Sequence, residues 1–172
     1  MPQFLKEYVG EIVKYLFMLA VIFGMVYVGN SFSCQRVANG FLYMRPVIDE
    51  NEMLLVDKRP ARNLNLLQLE DVVCYTMTLP DRVATRFGRV LAFPGETFQV
   101  KDGVFIVDSQ VRQTAAINGI KAYAIPPILV PKGHLLIMFD KPFSNRPLLD
   151  HQLVPFLEIV GRVMKETGGR TQ

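Results

Sequence analysis

The chain has 172 residues, half of them hydrophobic, and a formal net charge of only +3. This length suits one domain with a sizeable core, and so small a charge excludes the strongly basic surface typical of nucleic-acid-binding proteins. The two cysteines, Cys34 and Cys74, form no C-x-x-C pair. We therefore expect ordinary thiols and no metal site, while a disulfide between the two stays open.

The longest apolar run in the chain lies near the amino terminus. From Ile12 to Val28 the only charged residue is Lys14. With the uncharged residues that follow, the run is long enough to cross about 30 Å of hydrocarbon as a helix. Lys14 can extend its side chain to the nearer interface, and Tyr15 and Tyr27 suit the aromatic belts at membrane surfaces. We predict a transmembrane helix over residues 12–29.

The flanks of this helix give less information. A short segment, residues 1–11, precedes the helix, and its Glu7 and Glu11 disfavour a cleaved signal peptide, which needs a basic leader. A buried core helix is the other alternative. Basic residues lie on both sides of the run, so the charge bias does not decide the orientation of the helix.

Beyond the helix the hydrophobic pattern changes to short aliphatic and aromatic runs separated by turn signals. The runs are MLLVDK (53–58), DVVCYTM (71–77), GRVLAF (88–93), TFQV (97–100), VFIV (104–107) and HLLIMF (134–139). Such runs predict an antiparallel, mostly-β domain. Lys101-Asp102-Gly103 predicts a tight hairpin, because Asp and Gly accept the positive φ angles of such turns.

Several of these runs belong to longer motifs that occur in a characteristic order. They are YMRPV (43–47), LLVDK (54–58), EDVVCY (70–75), GRVLAFPGE (88–96), KDGVFIV (101–107), VPKGHLLIMFD (130–140) and LVPFLEIVGRV (153–163). Behind an N-terminal anchor, this order resembles the type I signal peptidase family, which includes bacterial leader peptidases and mitochondrial inner membrane proteases. The resemblance covers residues 37–163, leaving 164–172 as a tail, and implies a membrane-anchored β domain that faces one side of the membrane.

The two catalytic positions of that family have changed in this chain. The family uses a serine nucleophile and a lysine general base, which must be kept neutral by desolvation. Its serine precedes the Met of S-M-x-P-T, and Tyr43 stands at that position. Its lysine precedes the Arg of K-R-V-x-x-x-P-G-D, and Gly88 stands there. A phenol ionises near pH ~10 and glycine has no side chain to accept a proton, so neither residue can do the same chemistry.

Further departures occur in the other motif positions. The family's G-D-N is Phe139-Asp140-Lys141, so Asp140 alone is retained, and Val47 replaces the usual threonine of the first motif. The resemblance without its Ser/Lys pair predicts a pseudopeptidase with no cofactor, no bound metal and no small-molecule substrate. The alternative is a divergent membrane-bound signal peptidase with an unrecognised nucleophile, acting alone or with an active paralogue.

A fold of this kind without catalysis still offers a groove that can bind protein. We expect a structural subunit or an assembly or chaperone factor of a membrane protein complex, in the mitochondrial inner membrane facing the intermembrane space or, alternatively, in a bacterial plasma membrane facing outward. Aromatic and aliphatic residues around the former site predict a partner surface; inward packing is the alternative. The candidate residues are Tyr43, Val47, Phe139, Phe143 and Leu148.

Overall fold

The computed structural model describes residues 3–38, 44–45, 47–78, 81–102, 104–112, 124–140 and 151–164. It begins with the long helix α1, Gln3–Ser31. The stretch Tyr8–Ser31 has a mean hydropathy of 2.1 and is long and apolar enough to cross a membrane. Its apolar side chains are exposed rather than packed in a core, so the alternative of a buried core helix is wrong.

The rest of the described chain is mostly strands. They are β1 Phe32–Arg36, β2 Met53–Asp57, β3 Val72–Thr78, β4 Val83–Ala92, β5 Thr97–Lys101, β6 Val104–Val107, β7 Gln110–Arg112, β8 Ile125–Leu129, β9 His134–Met138, β10 His151–Pro155 and β11 Ile159–Val163. A one-turn helix, α2 (Arg59–Arg62), follows β2. The predicted antiparallel, mostly-β domain behind a single apolar helix is confirmed.

The strands form two antiparallel sheets. The larger has the order β1-β2-β11-β3-β4-β9-β10, and the smaller has the order β7-β6-β5-β8. The predicted hairpin joins β5 to β6, with Asp102 at a φ of 51° in its turn. Strand β4 lies in the middle of the larger sheet, paired with β3 on one side and β9 on the other, and it carries the second catalytic motif.

Packing on the large sheet follows from its sequence pattern. Strand β2 alternates, with Leu54 and Val56 buried and Met53 and Leu55 exposed, as a half-buried strand does. The central strands β3 and β4 are instead buried on both faces over part of their length, residues 72–75 of β3 and residues 87–92 of β4. The motif positions on β4 are therefore surrounded by core side chains.

Strand β1 was not predicted, because its sequence FSCQR is largely polar. It continues directly from α1 and pairs with β2 in the register Cys34↔Leu55. This pairing joins the apolar helix to the edge of the β domain, a region that the motif resemblance leaves out.

Candidate functional site

Arg89 on β4 lies next to the former general-base position and is 3% exposed. Its guanidinium donates two hydrogen bonds to the Asp140 carboxylate, from Nε to Oδ1 over 2.8 Å and from Nη2 to Oδ2 over 2.7 Å. A third bond runs from Nη1 to the Glu70 carbonyl oxygen at 2.7 Å. Two parallel bonds of this kind are the strongest arrangement for a guanidinium and a carboxylate, so the second and third motifs are held together inside the protein.

The first motif meets the same ion pair. Met44, which follows the former nucleophile position, is fully buried, and its Sδ accepts a hydrogen bond from the Asp140 backbone N–H over 3.4 Å. Asp140 thus contacts Met44 through its backbone and Arg89 through its side chain. The structure thus brings together one residue from each of three motifs, Met44, Arg89 and Asp140.

Gly88 is buried, and the space for a side chain at this position is already filled. A Cβ atom on Gly88 would overlap Cγ2 of Ile137 on the neighbouring strand β9, and would lie 3.1 Å from the Met138 carbonyl oxygen and 3.6 Å from Cε1 of Tyr75. Ile137 branches at Cβ, so its Cγ2 lies close to the backbone and has little freedom to move away. The position that the motif resemblance assigns to a general base therefore holds a glycine, and a side chain added there would meet Ile137.

Burial also governs two side chains of the neighbouring strand β3. Cys74 is fully buried, and desolvation raises the pKa of its thiol to about 12, so the thiol stays protonated at neutral pH. Burial also raises the pKa of the neighbouring Tyr75 hydroxyl. Both cysteines are free thiols, with Cys34 exposed on β1.

The candidate partner residues divide into two groups. Phe139 is 7% exposed and packs in one core cluster with Met44 and Phe87, and Val47 lies half-buried against that cluster. For Phe139 the expectation of an exposed partner contact is therefore wrong, because its side chain is buried in this cluster. Tyr43, Phe143 and Leu148 lie outside the described residues.

Two contacts were not predicted from the sequence: the ion pair between Arg89 and Asp140, and the approach of Ile137 to Gly88. The motif resemblance identified Asp140 as a retained motif residue but gave it no partner, although Arg89 is the retained charge of the neighbouring motif. Two surviving charges of opposite sign in adjacent motifs were the available signal. Nothing in the sequence indicated that Ile137 closes the space at Gly88, since that depends on the register of β4 against β9.

Comparisons with known proteins agree with the motif order. No family model matches the chain. A curated relative, a probable signal peptidase I-1 of Synechocystis sp., is 23% identical over 129 residues, which are 70% of this chain and 64% of that protein. The chain thus spans less than two thirds of that relative's length.

Among solved structures, a crystal structure of a signal peptidase I from Enterococcus faecalis aligns with a TM-score of 0.44 and 15% identity, over 56% of this chain and 95% of that one. The motif order, the antiparallel β domain behind one apolar helix and the match to the Synechocystis protein all point the same way. The chain is type I signal peptidase-like.

Proposed function

We propose that this chain is a catalytically inactive, signal peptidase-like membrane protein that works by binding, as a structural subunit or assembly factor of a membrane protein complex. The observation that carries the proposal is the filled space at Gly88, where the Cγ2 of Ile137 occupies the position of a Cβ. A serine is unreactive unless a base lies within hydrogen-bond reach. Here both the base and its space are absent from β4.

The retained parts of the centre support binding rather than chemistry. The Arg89–Asp140 pair is buried and fully engaged, so it holds the scaffold and offers no free acid or base. The buried Cys74 thiol, with its raised pKa, offers no nucleophile. What remains is a rigid β scaffold of a fold that accommodates extended peptides between strand edges.

The first test is peptidase activity of the full-length protein in mild detergent. We expect no cleavage of a preprotein carrying a signal peptide and no labelling by a serine-directed probe, with an active signal peptidase as the positive control. Tyr43→Ser/Gly88→Lys should also stay inactive, because Ile137 excludes the lysine. Adding Ile137→Ala removes the overlapping methyl group and is the variant in which any cleavage should first appear.

Turnover by the unaltered protein that is lost on mutating a single serine or cysteine would contradict the proposal. That result would favour the alternative, a divergent signal peptidase. Activity of the double variant without Ile137→Ala would instead show that Ile137 does not close the site.

We further propose that α1 spans the membrane and that the β domain lies wholly on one side, in the intermembrane space of mitochondria or outside a bacterial plasma membrane. The stretch Tyr8–Ser31 has the length and hydropathy that a span requires. Carbonate extraction should leave the protein in the membrane pellet, and protease added to the outer side of mitoplasts or spheroplasts should digest the β domain. Release into the carbonate supernatant would contradict the span.

The partner proposal is tested at Phe143 and Leu148, the candidate surface residues outside the described ranges. After mild detergent extraction we expect the native protein to migrate as a complex, and Phe143→Asp/Leu148→Asp to lose the partner, because aromatic and aliphatic anchors dominate such interfaces. The matched control is Val111→Asp/Leu129→Asp on the small sheet, where both side chains are 64% exposed. Equal migration of all three proteins as monomers in micelles would contradict this proposal.

A further inference from the structure

A cluster of cations surrounds the carboxyl end of α1. The Lys58 ammonium donates to the Gly29 carbonyl oxygen over 2.8 Å, and the Lys58 backbone N–H donates to the Ser31 carbonyl over 2.7 Å. Nη2 of Arg62 donates to the Asn30 carbonyl over 3.5 Å. These bonds pair carbonyls that a helix end leaves free and place two cations beside its partial negative charge.

The neighbouring Arg59 is neutralised by a carboxylate. Its Nε and Nη2 each donate to Asp57 over 2.9 Å, and its guanidinium carbon lies 5.5 Å from the centroid of the Phe32 ring. The bond from Arg59 keeps the pKa of Asp57 below its ordinary value, so the carboxylate stays ionised. Within the described ranges, Lys58 and Arg62 form no ion pair, so their charges remain available.

The length of the uncharged part of α1 sets the depth of this cluster in a bilayer. The helix carries no charged residue after Lys14. From there to Ser31 it rises about 26 Å, at about 1.5 Å per residue. A hydrocarbon core is about 30 Å thick, and the Lys14 side chain can extend to its interface from a backbone that lies deeper in the core, so the end of the helix at Ser31 reaches the opposite boundary. Cations bonded to the carbonyls of residues 29–31 then lie in the headgroup layer.

We propose that Lys58 and Arg62 bind the phosphates of anionic phospholipids at the point where α1 leaves the membrane. An ammonium has three donors and a guanidinium has five, and each of these side chains uses one on α1, so donors remain for phosphate oxygens. The Arg59–Asp57 pair fixes the junction between β2 and α2, where Lys58 precedes the first residue of α2 and Arg62 is its last. Each unpaired cation favours an anionic surface by about fivefold at low salt, so the two together give an enrichment on the order of 25-fold.

Cys34 gives a reporter beside this cluster, because it is exposed on β1 whereas Cys74 is buried. Full-length protein labelled at Cys34 is reconstituted in phosphatidylcholine vesicles that contain a trace of dye-labelled phosphatidylglycerol or dye-labelled phosphatidylcholine. Energy transfer from Cys34 then measures which lipid collects around the helix exit. We expect several-fold more transfer to phosphatidylglycerol, decreasing as salt rises.

The decisive variant is Lys58→Gln/Arg62→Gln, which should reduce transfer to the level seen with phosphatidylcholine. Lys58→Arg/Arg62→Lys keeps both charges and should keep the enrichment, which separates lipid binding from loss of fold. Lys101→Gln/Arg112→Gln removes two exposed cations from the small sheet and should change nothing. Co-flotation with vesicles and an unchanged unfolding temperature in detergent establish that each protein is inserted and folded.

Four results would overturn the proposal. The first is equal transfer to both lipids in the unaltered protein, and the second is enrichment that survives Lys58→Gln/Arg62→Gln. The third is enrichment that does not decrease as salt rises, which would show that the charges of Lys58 and Arg62 do not hold the lipid. Inorganic phosphate should lower the enrichment no more than chloride does at matched ionic strength, because a site for free phosphate would be filled from solution. Failure of the protein to float with the vesicles would remove its premise and overturn it as well.

Discussion

Replacing Gly88 with alanine is expected to destabilise the protein by about 1–3 kcal/mol, as overpacking of a filled core does. The added methyl group would overlap Cγ2 of Ile137. Ile137→Ala alone should cost about 2–5 kcal/mol, since it empties a fully buried position. The double variant should be more stable than the sum of the two single effects predicts, because each change relieves the defect that the other creates.

Urea unfolding of the full-length protein in detergent micelles measures this cycle, and the interaction free energy should be about 0.5–3 kcal/mol in favour of the double variant. The matched control pairs Gly88→Ala with Leu54→Ala, a buried residue of a different core cluster, and there the effects should add. If Gly88→Ala leaves stability unchanged, β4 and β9 do not close the site as described, and the main support for an inactive protein is lost.

Breaking the buried Arg89–Asp140 pair is expected to lower the free energy of unfolding more than breaking an exposed ion pair does. Asp140→Ala leaves the Arg89 guanidinium buried and uncompensated, at 3% exposure, and should cost about 3–5 kcal/mol. Arg89→Met/Asp140→Ala should be more stable than Asp140→Ala alone, because no buried charge remains. The same unfolding measurement decides between them.

The control is the exposed pair Arg45–Asp49, whose side chains are 39% and 62% exposed and 3.0 Å apart. Asp49→Ala should change the free energy of unfolding by less than about 1 kcal/mol, because water and salt screen such a pair. An Asp140→Ala effect as small as that of Asp49→Ala would show that the buried pair does not hold the motifs together. In that case the motifs that contain Arg89 and Asp140 would not be joined by this pair in solution.

Much of the fold could be predicted from local patterns. A long uncharged run predicted α1, and alternating or continuous apolar runs predicted β2, β3, β5, β6 and β9, because side-chain periodicity and turn chemistry are local properties. The sequence by itself also determined that Tyr43 and Gly88 stand where the motif resemblance places the serine and the lysine. Residue identity at an aligned motif requires no coordinates.

Strand β1 could not be predicted from its own sequence, and the reason is physical. Its residues are mostly polar, and its strand conformation comes from pairing with β2, where Arg36 opposes Met53 across a long intervening loop. Edge strands owe their conformation to such a partner more than to their own composition. Only the folded chain provides that partner.

The state of the site was decided by tertiary structure. Arg89 and Asp140 are 51 residues apart in the chain, and Lys58 is 29 residues from the Gly29 carbonyl that it binds. Whether Gly88 borders an open pocket or a filled core depends on which β9 residue faces it, and a shift of one residue in register would turn Ile137 to the other face of the sheet. The sequence by itself therefore determined which residues stand at the motif positions, Tyr43 and Gly88 among them, and the pairing of β4 with β9 decided that Ile137 fills the space beside Gly88.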